Sequence, residues 1–306
     1  MSGRAGGRGG TGAAAGNASH DADGLYGPAS EAWLLSREGM LLLGAGPRSI
    51  LLQIAHPLIA EGVDQHSAFR IDPWARLIAT VRSYLTVVYG SGREARAEIA
   101  RLNRLHRSIE GPVRDPEAGA ISGARAYSAR DPELNLWVHA TLIDSTLVAY
   151  DAWIEPLTRA RRAAYYEESK PIGRAFGITD DLLPPDLAAF DRYLERMIGP
   201  GGPVTVTSTA RKLAETILHP SLARLAPPIA PILGRIPAGA YDWAIWPSLA
   251  LLPATVREGF GIHWTPVNRA VAAWLLTTWR AWRPLLPPSL RWFSMASDAI
   301  ERAANQ

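Results

Sequence analysis

The chain has 306 residues, a formal net charge of +3 and no cysteine. That length allows one large domain or two small ones, each with room for a substantial core. The missing cysteine excludes disulfides, zinc thiolate sites, iron–sulfur clusters, thiolate-ligated haem and cysteine nucleophiles, so iron or copper would have to be held by histidine, carboxylate or tyrosine. Arginine outnumbers lysine 30 to 2 but forms no block of five or more. The basic excess therefore does not point to nucleic acid.

Residues 1–18 are dominated by Gly and Ala, carry Arg4 and Arg8, and lead into no apolar segment. They read as part of a disordered low-complexity tail over 1–28, not a secretion signal. The longest apolar stretch, Trp243–Val256, is broken by Pro247 and Pro253. It falls short of the roughly 20 residues that a membrane-spanning helix needs. The expected location is cytoplasmic.

From Glu31 onward the sequence reads as helix almost throughout. A first helix is predicted over 31–43, stopping at Gly44-Ala-Gly46-Pro47, and a second over 48–63, apolar nearly all round and therefore central. Asp72-Pro73 places an N-cap before a proline at the first helical position, and that helix runs to Tyr89 and Gly90. Ser91 caps the next, predicted to reach Ile109. Residues 111–130 read as loop. Asp131-Pro132-Glu133 repeats the cap pattern and opens a long apolar helix to Trp153. Further helices are predicted near 155–169, 185–198 and 207–218. Val204–Thr207 is the one short strand-like run, and it could equally open a helix. Proline-rich segments at 219–237 and 284–288 punctuate a C-terminal third with helices near 239–250, 266–282 and 288–304. The pattern describes one all-α domain over 29–306, with additional C-terminal helices on its core.

Polar groups on apolar helices are the candidates for function, because burying them is costly unless they are paired or used. Arg76 and Thr80 are one turn apart on a shared face. Arginine suits a carboxylate partner, and threonine offers a hydroxyl to bound dioxygen. His106 lies among Leu102, Leu105 and Ile109 on what reads as a buried stripe, and His139 sits on the still more apolar 132–153 helix. Imidazole presented from such a helix is a means of holding iron. His56 precedes Pro57, and Glu61 follows on a different face; His66 falls in a loop. Each histidine also has an ordinary core role open to it. No Glu-x-x-His or His-Glu-x-x-His motif occurs, which argues against a di-iron bundle and a zincin. Near the C-terminus, Trp279, Trp282 and Trp292 alternate with Arg280, Arg283 and Arg291. That pattern suits either a membrane interface or core tryptophans covered by arginine stems.

The run Gln53-Ile-Ala-His56-Pro57, Gly62-Val63, His66-Ser67-Ala-Phe69, Asp72-Pro73, Arg76, Thr80, Tyr84 and Tyr89-Gly90 resembles the signature of the DUF2236 family. This is the group of rubber oxygenases (latex clearing proteins) and MpaB-type oxygenases. The resemblance continues through His106, Gly111, Tyr127, Asp131-Pro132 and Trp137-Val138-His139, and in weaker form to Arg291, covering about residues 35–295. It implies an all-α fold with a globin-like core that binds b-type haem. By that resemblance Arg76 and Thr80 match the Arg-x-x-Lys-Thr motif of the haem-pocket helix. His106 matches the proximal iron ligand, His139 a second histidine near the site, and Glu61 the place of a proposed catalytic glutamate. The motif's lysine is Ala79 here, so the distal side of the iron must differ, which argues against polyisoprene as substrate.

The expected function is thus a haem b-dependent oxygenase using O2 on a small hydrophobic substrate, isoprenoid or aromatic. His106 is the metal ligand; His56, Arg76 and Thr80 hold the cofactor; Arg76, Thr80, Glu61 and His139 are the catalytic candidates. A redox partner and a weak membrane-surface contact belong to this expectation, and nucleic acid does not. A histidine-bound non-haem metal enzyme and a non-enzymatic lipid- or ligand-binding helical module remain the alternatives.

Overall fold

The computed structural model describes residues 24–66, 73–219 and 245–305, with the side chains of residues 73–77 and 216 left out. The expected tail up to residue 23, the Asp72 cap, most of the proline-rich 219–237 segment and the start of the 239–250 helix lie outside the described residues.

The N-terminal half runs α1 (Glu31–Ser36), α2 (Leu41–Ile54), α3 (Pro57–His66), α4 (Pro73–Tyr89) and α5 (Gly92–His106). Strand β1 (Glu110–Pro112), helix α6 (Pro116–Ser122) and strand β2 (Ala126–Ser128) follow, and then α7 (Pro132–Trp153), α8 (Arg159–Ala175), α9 (Leu187–Ile198) and α10 (Ser208–Leu218). The C-terminal part holds α11 (Trp246–Ala250), α12 (Ala254–Gly259), α13 (Pro266–Trp282), α14 (Pro288–Arg291) and α15 (Ser294–Ala304). The fold is all-α, with one antiparallel two-stranded ribbon among the described residues that sets Gly111 opposite Tyr127. The ribbon and α6 occupy the stretch read as loop, too short to leave a periodic signal.

Capping is where local chemistry and structure agree best. The Ser91 side chain accepts from the Glu94 N–H, and the Glu94 carboxylate accepts from the Ser91 N–H, closing a capping box at the start of α5. Asp131 accepts from the Glu133 N–H at 2.9 Å and opens α7 ahead of Pro132. Thr207 accepts from the Ala210 N–H, so the strand-like run 204–207 leads into a helix cap.

Several boundaries differ from expectation, among them the end of the helix expected over 155–169, which runs Arg159–Ala175, and three have a structural cause. The break placed at Gly44–Pro47 falls earlier, between α1 and α2, and Gly44 and Pro47 lie inside α2. Gly44 is there for a close approach: a Cβ would stand 2.5 Å from Trp153 Nε1 and 3.2 Å from the Ala149 Cβ on α7. The second predicted helix is split at His56, because Pro57 pushes the residue before it away from the helical region and starts α3. The 288–304 helix is interrupted by extended backbone at Trp292 and Phe293. That extended turn is held by two backbone hydrogen bonds, from Gly39 N–H to the Arg291 carbonyl and from Phe293 N–H to the Arg37 carbonyl.

Helices α2 and α7 pack along each other more extensively than any other described pair. Both contribute to each of two apolar clusters. One gathers α1, α4, α8, α9 and α15 around Tyr89, Ile143 and Tyr166; the other gathers α3, α10, α11 and α12 around Leu52, Trp137 and Leu213. Arg48 crosses the α2–α7 interface almost fully buried, donating to the Leu251 carbonyl (2.8 Å) and Ser145 Oγ (2.8 Å) and pairing with Asp144 at 2.7 Å. The Trp137 indole N–H donates to the Leu52 carbonyl across the same interface.

Candidate functional site

Helices α4 and α5 form an antiparallel hairpin about Gly90, with Ser83 of α4 accepting from Arg101 of α5 at 3.2 Å. The open end of this hairpin carries Arg76 on one helix and His106 on the other, with Thr80 one turn further in. The Arg76 side chain is outside the described residues, and Thr80 lies on an exposed stretch of α4.

His106 ends α5. The expected buried stripe is only partly present: the helix stops before Ile109, and Leu105 is 50% exposed. Leu105 projects about 100° from His106 around the helix, so Leu102 and His106 face inward without it. The His106 ring is half-buried, 5.9 Å between centroids from Phe176. Burial lowers its pKa, which keeps the imidazole neutral. Among the described residues nothing hydrogen-bonds this ring.

His139, on α7, faces α8 from the other side. Burial pushes its pKa down to about 4, opposed by a hydrogen bond to the Ser169 backbone. Nε2 is buried without a partner. Gly173 of α8 makes room for the ring, since a Cβ there would sit 3.1 Å from both Cδ2 and Nε2. Two asparagines tie the end of α8 between the histidines. Asn103 of α5 donates to the Ala175 carbonyl at 2.8 Å, and Asn135 of α7 donates to the Phe176 carbonyl at 3.0 Å. His106 and His139 therefore flank the C-terminal turns of α8, each beside an asparagine that satisfies its last carbonyls.

The other candidates lie apart. His56 is buried in the α2–α3 turn near Asp131, its Nδ1 without a partner and its pKa lowered by burial to about 4. Glu61 is buried and committed: its carboxylate accepts from the Arg114 N–H (2.7 Å), the Asp115 N–H (3.3 Å) and Gln65 Nε2 (2.8 Å). It fixes the turn whose Asp115 caps α6 and accepts from Ser208 and the Thr209 N–H of α10. His66, expected in a loop, ends α3 and bonds the Glu110 carbonyl at 3.0 Å.

Sequence reasoning missed Phe176, Asn103 and Asn135, and took Gly173 only as one position of the family resemblance. A signal for the asparagines was present, since each lies one helical turn before a histidine. Gly173 and Phe176 are meaningful only once α8 is known to lie between the two imidazoles. No group of three or more His, Asp or Glu able to hold a metal occurs among the described residues. A b-type haem needs only one protein ligand, and the half-buried, neutral, uncommitted imidazole of His106 fits that requirement.

Residues 33–282 match the family model described as ER-bound oxygenase mpaB/B'/Rubber oxygenase, catalytic domain. Two mycobacterial relatives, Uncharacterized protein Mb2261 of Mycobacterium bovis and Uncharacterized protein Rv2237 of Mycobacterium tuberculosis, are each 24% identical over 245 residues. Each alignment covers 78% of this chain and 88% of the relative. No solved structure matches. The matched region runs from within α1 through α13 and takes in the α4–α5 hairpin and both histidines, and the chain belongs to the mpaB/rubber oxygenase catalytic-domain family, an oxygenase family.

Proposed function

We propose that this oxygenase domain uses b-type haem and O2 on a small hydrophobic substrate, isoprenoid or aromatic, with His106 as the protein ligand to iron. The observation that carries this is the His106 imidazole: it is half-buried, kept neutral by burial, and without a hydrogen bond among the described residues. A neutral imidazole has the lone pair that ligation needs. Haem bound there supplies the redox chemistry for adding oxygen from O2 to an apolar substrate.

The chain's own residues do the rest. Phe176 packs at a tilt beside the His106 ring, and Asn103 anchors that end of α5 to the end of α8. In this reading Arg76, on the same end of the hairpin as His106, would pair with a haem carboxylate, and the Thr80 hydroxyl would donate toward bound oxygen. His139 stays neutral at ordinary pH and offers one unpaired ring nitrogen as an acceptor. Glu61, with its oxygens already engaged by three N–H donors, serves better to hold the turn between β1 and α6 than to carry a proton. Ala79 in place of the motif's lysine favours a compact apolar substrate over a polymer.

The test is haem titration of three variants. His106→Ala is expected to lose stoichiometric haem, and Arg76→Ala to weaken it. His139→Ala should keep the haem while changing turnover. Retention of a normal haem spectrum by His106→Ala, with loss in His139→Ala, would exchange the two roles.

A further inference from the structure

The C-terminal helices carry a surface that the reading above does not use and that does not depend on it. From residue 259 to residue 297 there is no carboxylate, while the same stretch holds five tryptophans and four arginines. Helix α13 turns an apolar stripe outward: Val267 is 67% exposed and Trp274 63% exposed, with Ala270, Thr277 and Ala281 on the same face. The stripe continues through Trp282 at the helix end, Leu285 in the proline-bounded 284–288 segment and Leu290 on α14. Large exposed apolar side chains in a contiguous row mark an interaction surface, whereas scattered single ones do not.

The charges around the stripe decide what covers it. Arg269 is exposed on its flank, and His263 is exposed just before the helix. Of the four arginines, Arg283 is paired with the buried Glu38 and Arg280 donates to the Asp151 carbonyl, so Arg269 is the exposed charge beside the stripe; the Asp151 carboxylate pairs with Arg162, and Glu155 with Arg161. Glu258 and Asp298 lie outside the two ends of the acid-free stretch. A two-fold pairing of two copies through this face would bring the same cation-only flank against itself. An anionic lipid surface instead answers both features, taking up tryptophan and leucine at the headgroup boundary and attracting arginine. No helix among the described residues is long and apolar enough to cross a membrane, so the contact is with the surface.

We infer that the outer face of α13, together with Leu285 and the α14 residue Leu290, docks the protein on the surface of an anionic lipid bilayer. The test is co-sedimentation of the full chain with phosphatidylcholine vesicles containing or lacking phosphatidylglycerol. Wild type should pellet with the anionic vesicles, less so at high salt. Trp274→Glu combined with Leu285→Glu should bind about tenfold more weakly or worse, with unchanged circular dichroism because both side chains are exposed. Ile121→Glu, exposed on α6 and remote in sequence, should bind like wild type. Because the chain has no cysteine, Thr277→Cys also accepts a single polarity-sensitive dye, whose emission should shift to the blue on anionic vesicles. Failure of wild type to pellet, or a dye at 277 that stays in water, would overturn the proposal. So would vesicle binding untouched by the double variant, or a concentration-dependent dimer that the double variant abolishes without any lipid binding. Haem content plays no part in these readouts, so their failure would leave the oxygenase reading standing.

Discussion

The two sides of α7 treat buried polar groups in opposite ways. On the side facing α2, Arg48 is almost fully buried and yet makes contact with Leu251, Ser145 and Asp144, and the Trp137 N–H reaches the Leu52 carbonyl. On the side facing α8, His139 keeps a buried ring nitrogen with no partner, and at the helix's N-terminal end His56 does the same. The first arrangement is what a fold requires of a polar group taken from water. The second holds two imidazoles neutral against their ordinary pKa, and neutrality is what a ligand or proton acceptor needs.

Several substitutions sharpen this contrast. The largest effect belongs to the satisfied side. Arg48→Met leaves Asp144 without its cation and should lower stability by about 3 kcal/mol or more in urea unfolding. A loss below about 1 kcal/mol would mean that the ion pair merely accompanies the packing. On the unsatisfied side the effect depends on pH. Histidine takes up a proton near 6.5 in the unfolded chain, but only near 4 in the folded one for both His56 and His139. Above pH 6.5 neither state is protonated and stability is complete. As pH falls from 6.5 toward 4 the unfolded state binds protons that the folded state refuses, so stability drops, by up to about 3 kcal/mol for each histidine. His139→Leu should flatten part of that decline between pH 7 and pH 5, and an unchanged slope would show that His139 is protonated without strain.

Smaller effects concern space. Gly173→Ala places a methyl against the His139 ring and should cost about 1–3 kcal/mol. It should also alter any property that depends on His139 while leaving the His106 side intact. Ser91→Ala removes the α5 cap and should lower the thermal midpoint by the equivalent of about 1 kcal/mol. This last change tests only the hairpin that brings Arg76 and His106 to one end.

Much of the fold was legible because caps and prolines are local. Asp131-Pro132 and the Ser91–Glu94 box announce α7 and α5 within a few residues. The Gly44–Pro47 segment misled because Gly44 answers to Trp153, more than a hundred residues away, and no local pattern reveals a close helix approach. His56-Pro57 could have been read as a break from the proline alone, but the apolar run around it masked the signal. At the site, the two histidines stood out on their helices, but Leu105 did not belong to the His106 face, and the position of α8 between the imidazoles is a tertiary fact. Glu61 drew notice as a buried acid, and the structure gives it three N–H donors instead of an open oxygen.

The most direct measurement is the absorption spectrum of the purified protein, produced with added haem precursor, followed by a pyridine haemochrome assay. A strong Soret band and about one b-type haem per chain, as expected for a single axial histidine, is the predicted result. A protein that remains free of porphyrin after reconstitution, with its helical content intact, would contradict the assignment of His106 as an iron ligand.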